Sequence, residues 1–152
     1  DSLWCVIDVD RWPQEQIEEL HAFCAQKGNW NLVISNPCIE IWLLFHKRTD
    51  LTDLGIRTAN DAKQALDKQE KGGYYYIKYL PLMLDAIKNA CKADTNPDGY
   101  MPELLQTKVY QLGRALYKRM GKVRFEKFVA SLPSIEKDIL KQKKNNKTTK
   151  HL

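Results

Sequence analysis

The chain of 152 residues contains no long hydrophobic run. No stretch approaches the roughly 20 consecutive apolar residues that a membrane-spanning helix needs. The first residues also lack the basic segment, apolar segment and cleavage site of a secretory signal peptide. These two absences argue against a membrane or exported protein, so we expect no membrane partner and a cytoplasmic location.

Cysteine is scarce and scattered. The four cysteines, at positions 5, 24, 38 and 91, form no C-x-x-C pair, and no histidine lies near them at zinc-ligand spacing. The common zinc folds and a disulfide framework are therefore excluded. We expect four reduced cysteines that pack as small apolar residues.

Acidic residues are absent from the last part of the chain, residues 141–152, which contains five lysines. The rest of the chain has 19 basic and 19 acidic residues, so the net charge of +5 belongs to this segment. Because a polar segment of one charge sign buries little apolar surface, we predict a basic disordered tail over 141–152. Such a tail either binds phosphates non-specifically or is a solvated terminus.

The most informative stretch is an apolar run, residues 3–7, followed by Asp8 and Asp10. Its lack of charge predicts a strand buried on both faces, whose carboxyl end is where α/β folds keep their chemistry. Residues i and i+2 of a strand point to the same side, so Asp8 and Asp10 would present two carboxylates together. Their repulsion is relieved by a proton or by a divalent cation that prefers oxygen ligands. The alternative is that both aspartates only cap the helix that begins near Pro13.

The order of the predicted elements gives the domain organisation. A helix follows the first strand, and residues 31–35 predict a second strand, so the chain opens with a βαβ unit. A strand buried on both faces needs a neighbour on each side, so we expect a further segment upstream of Asp1. We predict one domain over 1–140, with an α/β core at 1–47 and a mainly helical cap at 48–140.

Two helices of the predicted cap have defined features. The first is long and places apolar side chains on one face: Leu105, Val109, Leu112, Leu116 and Met120. The second follows Gly121 and is predicted to stop at Pro133.

A second motif, residues 35–46, follows the second predicted strand, and its part 38–46 is apolar nearly all round, which predicts a buried helix. Glu40 is the only charged residue between Asn36 and Phe45, and a lone acid is expensive to bury unless it is paired, bonded or bound to metal. The alternative is that Glu40 lies in the first turn of a helix, near free backbone N–H groups. Asn36 is placed to cap this helix. His46, at its end, is either a base or ligand or a partner of the last helix carbonyls.

The two motifs, W-C-V-I-D-V-D-R-W-P and S-N-P-C-I-E-I-W-L-L-F-H, together resemble the RloB family, small proteins encoded near restriction and phage-defence genes. The resemblance implies an α/β fold: a small, mostly parallel TOPRIM-like sheet with flanking helices and a helical C-terminal half. TOPRIM domains bind Mg²⁺ between a D-x-D motif, matched here by Asp8 and Asp10, and a glutamate on an earlier strand. That glutamate has no counterpart in this chain, which agrees with the upstream segment expected above.

The leading hypothesis is a nuclease subunit of an antiphage system that hydrolyses phosphodiester bonds of DNA or RNA. In it, Asp8 and Asp10 hold Mg²⁺ or Mn²⁺, Glu40 is a third catalytic residue, and Asn36 and His46 are candidates for substrate binding. The resemblance also implies an ABC-type ATPase as partner protein.

Two alternatives stay open. The first is a non-catalytic interaction or scaffold module for such an ATPase. The second is an aspartyl phosphatase, although that pattern expects Thr or Val where this chain has Trp12.

Overall fold

The structure, a computed structural model, describes residues 1–71 and 74–148, with side chains described through residue 137. In chain order, the elements are β1 (Leu3–Asp8), a 3-10 turn (Val9–Arg11), α1 (Gln14–Ala25), β2 (Trp30–Asn36), α2 (Glu40–Phe45), a 3-10 turn (Thr52–Leu54), α3 (Ala59–Gln69), α4 (Tyr76–Tyr79), a 3-10 turn (Leu80–Leu82), α5 (Met83–Ala93), β3 (Gln106–Thr107), α6 (Val109–Met120) and α7 (Lys122–Thr148). Over these two ranges, no helix combines the length and apolarity that crossing a membrane requires.

The three strands form one sheet in the order β1-β2-β3. β1 and β2 are parallel and joined by α1, so the predicted βαβ unit is confirmed. β3 is antiparallel to β2 over two register pairs, so a short antiparallel strand adds to the predicted, mostly parallel sheet. β3 was predicted as part of a long helix. Leu105 has a φ of 67°, outside the helical region, and its N–H donates to the Asn36 carbonyl at 2.9 Å, so the chain joins the sheet before the helix begins.

The burial of β1 on both faces, which was predicted together with a neighbour on each side, is not seen among the described residues. Within the described residues β1 pairs with β2 alone, and the side chains of Leu3 and Val6 are each 45% exposed. A run without charge indicates that the side chains are apolar, but it does not show what covers them.

The core lies around α2, which was predicted to be a buried helix. Ile41 and Leu44 are fully buried, so that prediction is confirmed. They pack with residues from α3, α5 and α6 in one cluster that includes Ala62, Leu66, Ala90 and Tyr110. α2 and the helices packed around it therefore support the sheet and the loops that follow β1 and β2.

Two expectations for the last helices are wrong. In α6, Leu116 and Met120 are exposed, and the buried side is formed by Val109, Tyr110 and Gly113. The residue at 113 is small because a Cβ there would lie 3.0 Å from the side chain of Ile87 in α5.

The second error concerns Pro133. α7 continues through this proline, which removes one backbone donor without ending the helix. The helix extends to Thr148, so the backbone of 141–148 is helical where a disordered tail was expected. The rest of that predicted tail, 149–152, lies outside the described residues.

Candidate functional site

Asp8 and Asp10 lie at the carboxyl end of β1, but their geometry differs from the prediction. β1 ends at Asp8, and Asp10 belongs to the 3-10 turn that follows, so the alternation of strand side chains does not apply to the pair. The turn is held by the Asp10 N–H, which donates to the Pro37 carbonyl at 3.1 Å. Neither aspartate caps α1, which begins after Pro13 without a side-chain cap. Both carboxylates are therefore available at the sheet edge.

Glu40 joins this pair as the first residue of α2. The β2–α2 loop meets the turn after β1 at the Pro37 carbonyl, and the backbone N–H of Ile39 in this loop acts to lower the pKa of Asp8. The structure thus brings three of the predicted site residues together: Asp8, Asp10 and Glu40. We call these three carboxylates the acidic cluster.

The acidic cluster is electrostatically unfavourable as it stands. Burial, together with the negative charges of Asp10 and then Glu40, raises the pKa of Asp8 from 3.8 to about 6. Arg11 offers partial compensation, since its Nε lies 3.7 Å from Asp10 Oδ2, but its side chain is 71% exposed. A proton or a cation at Asp8 would therefore be favoured.

Cys38 lies between the acidic cluster and α3. Its buried Sγ is 3.8 Å from the Ala59 carbonyl, to which it donates. Burial and then Glu40 raise the pKa of the Cys38 thiol to about 12, so the thiol is protonated at neutral pH. Its role is to pack the first turn of α3 against the site.

Lys63 approaches the acidic cluster from α3 and was not predicted. Its positive charge opposes the shift at Asp8 by lowering the pKa of that carboxyl. Lys63 follows Asp8 by more than fifty positions, and the lysine carries no motif of its own. No pattern in the sequence therefore predicts its position here.

Asn36 and His46 behave differently from each other. The Asn36 side chain does not cap α2 as predicted, because it donates to the Pro102 carbonyl at 3.1 Å and fixes the loop before β3 to the sheet edge. His46 lies at the other end of α2, about 9 Å along the axis from Glu40. It is 6% exposed, and its Nδ1 lies 3.0 Å from the Trp42 carbonyl.

The surroundings of His46 favour the alternative role considered for it, that of a partner for a helix carbonyl. Its ring packs against Trp42 and Tyr79, and burial lowers its pKa, so the imidazole is neutral. The structure brings Asn36 to the same sheet edge as the acidic cluster and leaves His46 in the core.

A family model described as RloB-like protein matches residues 1–116. The chain belongs to the RloB-like family. The match confirms the resemblance found in the two motifs, and it spans all three strands, the acidic cluster and Lys63. Comparison with curated proteins and with solved structures gives no match.

The donor set of this RloB-like protein can be tested against a divalent cation. In the part of the chain that the structure describes, no three Asp, Glu, His or Cys side chains converge as a complete metal-binding group. Mg²⁺, however, commonly keeps several waters and is held by one or two carboxylates plus substrate phosphates. Asp8 and Asp10 fit that mode of binding, because burial and the charge of Asp10 both raise the pKa of Asp8.

Proposed function

We propose that this RloB-like protein is a Mg²⁺-dependent nuclease subunit that has a TOPRIM-like fold and hydrolyses phosphodiester bonds of DNA or RNA. One observation carries the proposal: at the carboxyl edge of a parallel strand pair, burial and then the charges of Asp10 and Glu40 raise the pKa of Asp8 to about 6. Uncompensated acids at such an edge are expected in a site that receives a cation. We place the protein in the cytoplasm, in an antiphage system with an ABC-type ATPase as its partner.

The residues of the chain have distinct roles in this proposal. Asp8 and Asp10 would hold Mg²⁺ or Mn²⁺, and Glu40 would add negative charge and accept hydrogen bonds from water at the site. The bound ion supplies Lewis acidity, which activates water and stabilises charge on a phosphate. Asn36 keeps the loop before β3 beside the cluster through its bond to Pro102. His46 remains a substrate-binding candidate only if α2 moves, because its ring is buried.

The test is cleavage of labelled DNA and RNA by the full-length protein in Mg²⁺, Mn²⁺ or EDTA. We expect metal-dependent cleavage, and we expect Asp8→Ala to reduce its rate at least ~100-fold because a ligand and its charge are lost. Asp67→Asn is the matched control, since Asp67 is an exposed acid on α3 outside the cluster, and it should leave the rate unchanged. Intact cleavage by Asp8→Ala would refute the proposal.

The lack of a third converging ligand in the described residues favours a second candidate. It is a non-catalytic module that binds an ABC-type ATPase. Thermal unfolding separates the two: the nuclease should gain stability on addition of Mg²⁺ or Mn²⁺, and this gain should disappear in Asp8→Ala. A module without a metal site should show no gain. Turnover of an aryl phosphate that Asp10→Asn abolishes would instead support the aspartyl phosphatase.

A further inference from the structure

The first turn of α3 is fixed beside the acidic cluster by two local interactions. Thr58 and Asp61 form a capping box, in which the Thr58 hydroxyl accepts from the Asp61 N–H at 3.3 Å and Asp61 accepts from the Thr58 N–H at 2.9 Å. The Ala59 carbonyl then accepts from the thiol of Cys38, two residues before Glu40. The capping box thus fixes where α3 begins, and the Cys38 bond holds that first turn against the loop that carries Glu40.

Lys63 lies one turn after Ala59. Residues four apart on a helix share a face, so Lys63 lies on the same side of α3 as Ala59, whose carbonyl contacts Cys38. The neighbouring positions Ala62 and Leu66 are buried in the core, which prevents α3 from rotating about its axis. Lys63 itself is exposed, and its charge reaches Asp8.

Lys63 forms no ion pair with the described side chains. None of their carboxylate oxygens lies within 4.0 Å of its Nζ. Other lysines differ. Lys47 and Lys78 both pair with Glu70, and Lys108 pairs with Asp94. Lys63 is thus an exposed positive charge that acts on Asp8 without a direct contact to a described carboxylate.

A phosphate approaching this site meets three negative charges. A bound cation offsets part of this repulsion, and a positioned ammonium at the margin offsets more by attracting phosphate oxygens. We propose that Lys63 is the residue that binds the phosphate of the nucleic-acid backbone beside the acidic cluster. This inference rests on the nuclease function proposed above and adds a substrate contact to it.

The alternative role for Lys63 is only to offset the charge of Asp8. The two roles predict different measurements. A phosphate contact releases counterions from the nucleic acid, so its loss lowers the slope of log K against log salt by about 0.7 to 0.9. Loss of a residue that only offsets Asp8 changes the pH dependence of cleavage but leaves this slope unchanged.

The experiment compares the unaltered protein with Lys63→Ala, Lys63→Arg and the control Lys68→Ala. Lys68 is also exposed on α3, but it lies five residues further on and borders a different cleft with Arg48 and Asp53. Binding of a labelled DNA duplex and of single-stranded RNA is measured over a range of salt concentrations in Ca²⁺. Cleavage is measured in Mg²⁺.

We expect Lys63→Ala to lower the slope of log K against log salt and to reduce kcat/KM at least about tenfold, because one charged contact to the phosphate is lost. Lys63→Arg should restore most of both, and Lys68→Ala should change neither. An unchanged slope in Lys63→Ala, or an equal fall in Lys68→Ala, overturns the assignment of Lys63. No cleavage by the unaltered protein in Mg²⁺ or Mn²⁺ would instead refute the nuclease function, while the binding series still tests the phosphate contact.

Discussion

Asp8 and Asp94 are two aspartates withdrawn from solvent in opposite electrostatic surroundings. Asp94 accepts from Lys108 Nζ at 2.8 and 2.7 Å and from the Tyr110 hydroxyl at 2.7 Å. Although burial acts to raise the pKa of Asp94, the bonds from Lys108 and Tyr110 lower it. Asp8 has Asp10 and Glu40 as charged neighbours instead, and its pKa is raised to about 6.

The contrast shows that this fold can neutralise a buried carboxylate when its role is structural. The Asp94 network is complete: Lys108 also donates to the Asn96 carbonyl at 2.6 Å, and it joins the loop after α5 to the start of α6. In the acidic cluster the exposed Arg11 and Lys63 offset the charge only in part, because the pKa of Asp8 stays raised, and this costs stability. Sites that bind ligands commonly keep unfavourable charges of this kind.

The largest effect is expected from breaking the Asp94 network. Lys108→Met keeps a long apolar stem, but it leaves the Asp94 charge buried with the Tyr110 hydroxyl as its remaining side-chain partner. Removing one member of a buried pair costs about 3–5 kcal/mol of the free energy of unfolding. Chemical denaturation at neutral pH measures this loss.

The matched control is Lys122→Met, because Lys122 forms an ion pair with Glu126 at 3.8 Å in which both side chains are exposed. Exposed pairs contribute about 0–1 kcal/mol, so this variant should be nearly neutral. If Lys108→Met is as mild as Lys122→Met, the Asp94 network does not stabilise the fold.

The acidic cluster was largely predictable from sequence, and the Asp94 network was not. Apolar runs indicate the two strands, and the acids come just after them: Asp8 and Asp10 after the first, Glu40 after the second. Because the carboxyl ends of parallel strands lie at one edge of the sheet, these acids are expected near one another. The capping residues Thr58 and Asp61 were also recognisable, because a capping box has a fixed local spacing.

Lys108 and Asp94 have no such pattern. Lys108 looks like any polar residue before a helix, and its burial depends on β3, a strand of two residues that periodicity cannot show. Lys63 likewise acquires its position from the packing of α3 on α2. Local pattern therefore identified the carboxylates near the end of β1, whereas tertiary contacts decided which charges are paired.

A second test removes one hydrogen bond from the Asp94 network. Tyr110→Phe keeps the packed ring but deprives Asp94 of the hydroxyl at 2.7 Å. Hydrogen bonds to charged groups contribute about 1.5–3 kcal/mol, and we expect a loss of unfolding free energy in that range.

Tyr79→Phe is the matched control. The hydroxyl of Tyr79 is buried and has no hydrogen-bond partner among the described residues, so its removal should cost nothing or stabilise the protein. Equal destabilisation by both substitutions would mean that the bond to Asp94 is not what Tyr110 contributes.

The smallest expected effect has the opposite sign. Asp8 has a pKa of about 6 in the folded protein against 3.8 for the ordinary group, so the folded state holds a proton that the unfolded state has lost between these values. Charged Asp8 therefore destabilises the fold as pH rises through this window, and the penalty is complete above it. We expect Asp8→Asn to raise the free energy of unfolding by roughly 1–2 kcal/mol at about pH 8, after allowance for solvent screening, and to change it little near pH 4.

Asp94→Asn is the same substitution at an aspartate whose pKa is lowered. The charged form of Asp94 therefore stabilises the fold above the ordinary pKa, and this stability is lost as pH falls. It should therefore destabilise the protein at about pH 8, by roughly 3 kcal/mol, because Lys108 is left buried without its anion. If the change in the free energy of unfolding has opposite signs for Asp8→Asn and Asp94→Asn, the acidic cluster destabilises the fold and the Asp94 network stabilises it. If Asp8→Asn is destabilising at high pH, the acidic cluster is part of the stabilising framework, and its assignment as a cation-binding site loses its main physical support.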